Sequence, residues 1–514
     1  MDARELGSIE IIKRRLRMKV CLLNDSFPPV IDGVANVVTN YAHILTEKHG
    51  AEVLVGTPEY PGGDYDSYPF QVVPYKSFDT TKIVKGYRAG NPLEMRSATK
   101  MIDFRPDIIH SHCPVSSNVL ARLIRNETGA PVVFTYHTKF DVDIARAVKD
   151  KFLQQESIKA LVSTISACDE VWCVSEGAGE NLKSLGFEGE YRVVSNGVDF
   201  ERGQASEEKV AEATKEYDLP ENVPVFLFVG RMMAYKGIPQ ILDALKILSE
   251  QGTDYRMVFV GKGADLDSFK EKAKEYGIDD KTYFIGAIYD REVLRAWNTR
   301  ADLFVFPSTY DTNGIVVREA AACGLASALI RNSCAAEGIT DDRNGFIIDE
   351  TAESLAELMT RVSRDLSHAR DVGQHAMDEI YISWDDSVRD AYDRYGEILE
   401  DVRSGKMEIR RKTMTDHMLD VTADVIHYTE KIIDLQKKTF IDLPMRAFEG
   451  MRENALDMVD TIIEAQERRN EEMRGLTDNA EKSMMEMYER QENFTETFRQ
   501  SIKDVIDDAR KGLV

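Results

Sequence analysis

FPSTYDTNGIVVREAAACG (residues 306–324) passes from strand through loop to helix in one short stretch. The apolar run ending at Phe306 reads as a strand, Asp311 and Asn313 punctuate a loop, and Gly324 stops the helix that follows. A strand feeding a helix through a short loop is half of a βαβ unit. The pattern repeats on both sides of it. Upstream and downstream lie VPVFLFVGR (223–231), YRMVFVGKG (255–263), TYFIGAI (282–288), ASALI (326–330) and GFIID (345–349). An earlier series comprises VCLLND (20–25), EVLVGTP (52–58), QVVPY (71–75), DIIHSH (107–112), VVFTYHT (132–138), EVWCVS (170–175) and YRVVSNGV (191–198).

These runs show little alternation, as expected of parallel strands buried on both faces. Helices between them predict an α/β fold of two doubly wound, Rossmann-like domains facing a cleft. The polar stretch 201–222 separates the two series. The expected boundaries are 18–200 for the first domain and 201–383 for the second. A crossover helix follows at 384–405, and residues 1–17 form a basic N-terminal extension.

Residues 406–514 read differently. Met414, Met418, Val421, Val425, Tyr428, Ile432 and Leu435 form a heptad seam. Pro444 and Gly475 divide the region into three helical segments. An apolar stripe of that length must be covered. An intrachain or interchain bundle is expected, with a homodimer through these helices as the favoured form.

Composition narrows the function. The chain of 514 residues carries 65 basic and 89 acidic side chains, a net charge of −24. That surplus argues against a nucleic-acid partner. Six cysteines without a CxxC pair suggest a reducing, cytoplasmic compartment, with Cys21, Cys168, Cys173 and Cys323 as core thiols. No apolar stretch reaches the ~20 residues of a transmembrane helix, and the N-terminus lacks a signal-peptide pattern.

Four constellations carry chemistry. In NDSFPPVIDGVANVV (24–38), Gly33 follows a strand and precedes a helix, where backbone N–H groups can approach a phosphate. A tight turn without a ligand reads equally well. In FLFVGRMMAYKG (226–237), Arg231 and Lys236 lie at a strand's carboxyl end and could neutralise a diphosphate. Alone they read equally as solvated surface charges. In the opening stretch, Asn313, Gly314, Ile315 and Val316 surround a helix N-terminus, which favours an anion. Asp311 and Glu319 there can help only by meeting uncharged hydroxyls, as on sugars, while Glu319 reads equally as a helix residue complementing the dipole. In VVFTYHTKFD (132–141), His137 follows a strand end and would overhang the cleft, although a single His taken alone is more often structural. His110 and His112 form an HxH pair with no third ligand evident in sequence, so no metal site is expected.

Together these motifs resemble a retaining glycosyltransferase of family 4, with the two-domain GT-B fold, over about residues 18–400. The carriers are PSTYDTNGIVVREAAACG, GRMMAYKG, VVSNGVDF (193–200) and PDIIHSHCP (106–114). The resemblance implies that Arg231 and Lys236 hold a donor diphosphate and that Glu319 meets the nucleotide ribose. It places Asp311 on the donor sugar hydroxyls, Gly33 near the diphosphate and His137 facing the sugar. Asp311 stands where the family usually has Glu, a departure of one methylene.

Within the family, NDSFPPVIDGVA, PDIIHSHCPVSS and TYHTKFD look like bacterial diacylglycerol glucosyltransferases and phosphatidylinositol mannosyltransferases. The implied partners are a nucleoside diphosphate sugar, first UDP-glucose, and a membrane lipid acceptor such as diacylglycerol or its monoglycosyl form. Neither a metal nor a resident cofactor is expected. Lys76, Lys82, Lys85, Arg88, Arg96 and Lys100 fall where those enzymes touch membranes, and residues 11–19 (IIKRRLRMK) form a second basic patch. Both would favour an anionic membrane surface on the inner face of the cell membrane. The rivals are a transferase with a soluble or polysaccharide acceptor, a sugar-nucleotide 2-epimerase and a non-catalytic coiled-coil assembly protein.

Overall fold

A computed structural model describes residues 17–410, apart from Ile31, residues 81–86, Leu93 and Val148. The basic patch at 11–16, Lys82, Lys85 and the heptad region from residue 411 onward lie outside the described residues.

The first sheet has seven parallel strands in the order β3-β2-β1-β6-β7-β8-β9. They are β1 Lys19–Leu23, β2 Glu52–Pro58, β3 Gln71–Tyr75, β6 Ile108–Ser111, β7 Val132–Tyr136, β8 Glu170–Cys173 and β9 Arg192–Val193. A two-stranded antiparallel hairpin, β4 Ser77–Asp79 and β5 Arg88–Gly90, projects between β3 and the next helix. The sequence patterns gave no hint of it.

The second sheet is also parallel, in the order β12-β11-β10-β13-β14-β15. Its strands are β10 Val225–Val229, β11 Arg256–Val260, β12 Thr282–Gly286, β13 Leu303–Phe306, β14 Ser327–Ile330 and β15 Phe346–Ile348. β11, β13 and β14 are buried along their whole length, because helices cover both faces. That is why their sequences run apolar without alternation. Cys21, Cys168, Cys173 and Cys323 are all buried free thiols.

In both sheets the strand order reverses once, between β1 and β6 and between β10 and β13. Loops on either side of such a reversal diverge and leave a crevice at the strands' carboxyl ends, where ligands of open α/β sheets bind. The loops after β1, β6, β10 and β13 contain the sequence motifs singled out above.

The chain crosses between the two sheets twice. The second crossing starts the helix Trp384–Arg403, which packs Trp384, Val388, Ala391, Tyr395 and Ile398 into the core of the first sheet. Gly197 makes the crossings pack closely, since a Cβ there would sit 2.4 Å from the Trp384 backbone nitrogen. Val198 N donates to Ile382 O at 3.0 Å, and Ser387 Oγ to Ser195 O at 2.7 Å.

Candidate active site

The second sheet's switch point brings two loops side by side. β10 and β13 are paired neighbours, so the loop from Gly230 to Lys236 lies against the loop from Pro307 to Asn313. Gly237 sets how closely they approach. Its φ is +80°, and a Cβ on it would fall 2.0 Å from the Pro307 carbonyl oxygen, so only glycine fits. The short turn Ala234–Lys236 before it aims Lys236 inward.

Lys236 Nζ lies 2.5 Å from Asp311 Oδ1, and Ser308 Oγ donates to Asp311 Oδ2 at 2.5 Å. The lysine side chain is 8% exposed and the aspartate 21%. The rings of Tyr235, Phe306 and Tyr310 stand 5.7, 5.8 and 5.5 Å from Nζ. A cation enclosed by rings and one carboxylate keeps its charge out of bulk water. Arg231 is exposed and lies 5.8 Å over the Tyr235 ring. The two cations read as equivalent in sequence are therefore unlike, one enclosed and one open. Asp311, read only against sugar hydroxyls, also has a lysine partner.

The helix Ile315–Ala322 begins at Gly314 in the left-handed region, with φ +61° and no side-chain cap. Its first amides, those of Ile315 and Val316, thus start an uncapped helix end. Glu319 is buried one turn in, and Arg291 Nη2 donates to its Oε1. Burial raises the Glu319 pKa, and the Arg291 charge opposes that rise. Asp199 reaches the same guanidinium at 3.7 Å. Arg291 was not singled out from sequence, since its separation from Glu319 carries no motif.

Across the cleft, the helix Gly33–Glu47 starts at Gly33 itself, with Asp32 as its cap. Gly33 is thus helical rather than a loop residue before the helix. No atom comes within 4 Å of the Cβ it lacks, so the space beside it is open. Asp32 Oδ1 accepts from Ala35 N at 2.7 Å and Oδ2 from Tyr87 Oη at 2.8 Å.

His137, just past β7, is 8% exposed, and burial lowers its pKa to about 3. Its Nε2 lies 3.0 Å from His112 Nδ1. The sequence reading found no third group beside the HxH pair; the neighbouring strands β6 and β7 bring His137 to it. His110 instead faces Tyr395 Oη at 2.5 Å and Thr135 Oγ1 at 2.7 Å. The two histidines of the HxH pair thus have different hydrogen-bond partners, His137 for His112 and both Tyr395 and Thr135 for His110.

Asp25 was also missed. It receives Ser116 N at 3.1 Å, Ser117 N at 2.9 Å and Ser117 Oγ at 2.6 Å, clamping the loop after β1 to the helix Ser116–Thr128. Burial raises its pKa, while these donors pull the other way. Asp25, Ser116 and Ser117 each lie inside a quoted motif, but nothing in one dimension pairs them.

The loop of residues 309–313 belongs to the second sheet yet is strapped to the first. Lys139 Nζ donates to Thr309 O at 3.1 Å and Asn313 Nδ2 to Val174 O at 2.5 Å. Thr312 Oγ1 donates to His137 O, and Ser175 Oγ to Thr312 O. Glu337 adds a strap by accepting from the amides of Glu176 and Gly177 at 2.8 and 2.6 Å. Asn313 thus spends its amide nitrogen on the facing domain, and its Oδ1 is buried without a hydrogen-bond partner among the described residues.

Residues 31–202 match the family model described as Glycosyltransferase Family 4, and residues 209–378 match Glycosyl transferases group 1. Among curated proteins, the chain is similar to alpha-monoglucosyldiacylglycerol synthase of Streptococcus pneumoniae. They are 25% identical over 311 residues, 60% of this chain and 70% of that one. It is 28% identical over 286 residues to the GDP-mannose-dependent alpha-(1-6)-phosphatidylinositol dimannoside mannosyltransferase of Mycobacterium tuberculosis, 55% of this chain and 72% of that one. Among solved structures, Anabaena HepE in complex with UDP superposes with a TM-score of 0.60 at 16% identity, over 74% of this chain and all of that one.

Proposed function

The chain belongs to the GT-B glycosyltransferases of family 4, and we propose that it transfers a hexose, with retention at the anomeric carbon, from UDP-glucose to a membrane glycerolipid. Diacylglycerol or its monoglycosyl form is the first acceptor. The observation that carries this reading is that the paired strands β10 and β13 set the loop of Arg231 and Lys236 against the loop of Asp311, which leads into the helix of Glu319 and is bonded through Thr312 to the His137 carbonyl.

The chemistry follows from what each group can hold. Arg231 and Lys236 supply positive charge to a diphosphate as it departs, aided by the uncapped amides of Ile315 and Val316. Charge stabilised where it develops is worth most in an enclosed site. One enclosed and one open cation supply the positive charge that a divalent ion would otherwise bring. Glu319, held by Arg291, offers a carboxylate oxygen to the ribose hydroxyls. Asp311 accepts from hydroxyls of the transferred sugar, and Gly33 leaves room for the phosphates. The acceptor hydroxyl enters on the leaving-group face, so bond making and breaking share one side of an oxocarbenium-like sugar.

The lipid acceptor is supported by the two curated relatives, whose names specify a monoglucosyldiacylglycerol and a phosphatidylinositol dimannoside. Among the described residues no helix is long and apolar enough to cross a membrane. We propose peripheral attachment to the inner face of the cell membrane. Lys76 at the root of the hairpin is exposed, as is Phe78 within it at 64%, and Arg96 and Lys100 are exposed on the helix Met95–Asp103. Exposed cations and an exposed apolar side chain suit an anionic headgroup layer. Arg88 bonds Ser77 through its Nε and Nη2 at 2.7 and 3.0 Å.

The test is product analysis. Full-length protein is incubated with UDP-glucose, UDP-galactose or GDP-mannose and vesicles containing diacylglycerol, with and without anionic lipid. An α-linked hexosyl lipid, formed faster on anionic vesicles and slower in high salt, supports the reading. Transfer only to water-soluble acceptors, or conversion of the sugar nucleotide without an acceptor, overturns it.

A further inference from the structure

We propose that His112 is a positioning residue, which fixes His137 in the tautomer with its proton on Nδ1 and so leaves a hydrogen-bond donor facing the donor sugar. The inference deepens the transferase reading and rests on it for the identity of the sugar.

The geometry begins with the two rings. Their nitrogens are 3.0 Å apart, their centroids 5.3 Å apart, and their planes differ by 22°. Nearly coplanar rings with such a centroid distance place the contact along the line joining the ring centres. That is the in-plane direction in which an imidazole N–H donates and a bare ring nitrogen accepts. Burial pushes both histidines far below their ordinary pKa, and His110 adds to the effect at His112. Both rings are neutral near pH 7, so each carries one proton and one N–H crosses the gap.

Two arrangements are available. If His137 Nε2–H donates, then His112 must carry its own proton on Nε2. If His112 Nδ1–H donates, its Nε2 is a bare acceptor. His112 is 2% exposed, and its Nε2 has no hydrogen-bond partner among the described residues. Tyr41 lies 5.6 Å away at 76° to the ring and offers at most a weak π contact. An orphaned buried N–H is rarer and costlier than an acceptor left bare. The second arrangement therefore wins. It puts the His137 proton on Nδ1, which makes no hydrogen bond within the described protein and sits on the more exposed ring of the pair, 8% against 2%.

His112 is itself fixed. Its backbone amide donates to Leu23 O at 2.8 Å, and its ring is wedged between His110 and Tyr41. His137 is held from the other side, since its carbonyl takes the Thr312 hydroxyl. The ring therefore has little freedom to choose another donor direction.

Two measurements test the proposal. The first is the long-range ¹H–¹⁵N spectrum of the full chain labelled in histidine, with His137 assigned through the His137→Gln variant. A protonated Nδ1 on His137 is expected, and a protonated Nε2 overturns the proposal. This needs no substrate, so it stands apart from whether UDP-glucose is the donor. The second compares His112→Asn, whose amide can replace Nδ1–H, with His112→Leu, which cannot. Turnover of UDP-glucose should fall in His112→Leu by roughly tenfold or more with KM little changed, because the lost group acts on how the transition state is held. His112→Asn should recover most of it. Equal rates in the two variants, in either direction, overturn the positioning role.

Discussion

Asp311→Asn separates nucleotide binding from sugar transfer. The substitution keeps the shape and an acceptor for Ser308 but removes the charge 2.5 Å from Lys236 Nζ. For a pair near a protein surface the gross attraction is ~4 kcal/mol at 4 Å. Desolvation takes back much of that, so a net stability loss of about 1–3 kcal/mol is expected. Lys236→Met should cost a similar amount, and the double variant less than the sum. Binding of UDP moves the other way. Without the carboxylate, Lys236 gives its whole charge to the diphosphate, so affinity should hold or rise by up to ~10-fold, about 1.4 kcal/mol. Turnover should still drop by about 10- to 100-fold, the worth of one charged hydrogen bond to a sugar hydroxyl. Titration calorimetry with UDP and initial rates with UDP-glucose measure the two effects on one preparation. The reasoning is refuted if UDP affinity falls more than tenfold and the rate falls only in proportion, for then Asp311 serves the nucleotide.

Arg231→Ala and Lys236→Ala should each cost about 3 kcal/mol or more of transition-state stabilisation, and near-normal turnover in either folded variant would remove the donor site. The buried histidines make the fold acid-sensitive. His137 falls to about 3 in the folded chain while the unfolded chain titrates near 6.5, so the unfolded state binds the extra proton between those values. Stability is therefore full above about pH 6.5 and declines as pH falls toward 3, at up to ~1.4 kcal/mol per unit from this residue. A plot of melting temperature against pH should be shallower for His137→Asn than for the parent chain; parallel curves would count against it. Truncation after residue 405 should leave sugar transfer intact and give a monomer by light scattering, whereas a monomeric full-length chain would end the dimer expectation.

Much of this architecture could be read in one dimension because parallel strands covered on both faces leave continuous apolar runs. The runs at 225–229 and 303–306 announce strands by themselves, and the residues just after them fall at the strands' carboxyl ends, where a ligand would be sought. Arg231, Lys236 and Asp311 were legible as candidates for that reason, and Glu319 through the helix that follows. What escaped was contact across sequence. Arg291 reaches Glu319, His112 reaches His137, and Asp25 reaches Ser116 and Ser117 only after the sheets are ordered. The hairpin of β4 and β5 escaped because three-residue strands carry too few positions for a period to show.

The straps on residues 309–313 give the Asp311 loop two owners. Its covalent roots are in one sheet, while Val174, Ser175, His137 and Lys139 of the other hold its outer edge. Any separation of the sheets must either break those bonds or drag the loop along. Under the proposed reading, in which Asp311 meets the transferred sugar, sugar discrimination is then a property of the whole two-sheet assembly. On that reading a substitution as remote as Gly197, at the crossing between the sheets, is expected to surface in kinetics as a change in which hexose is accepted.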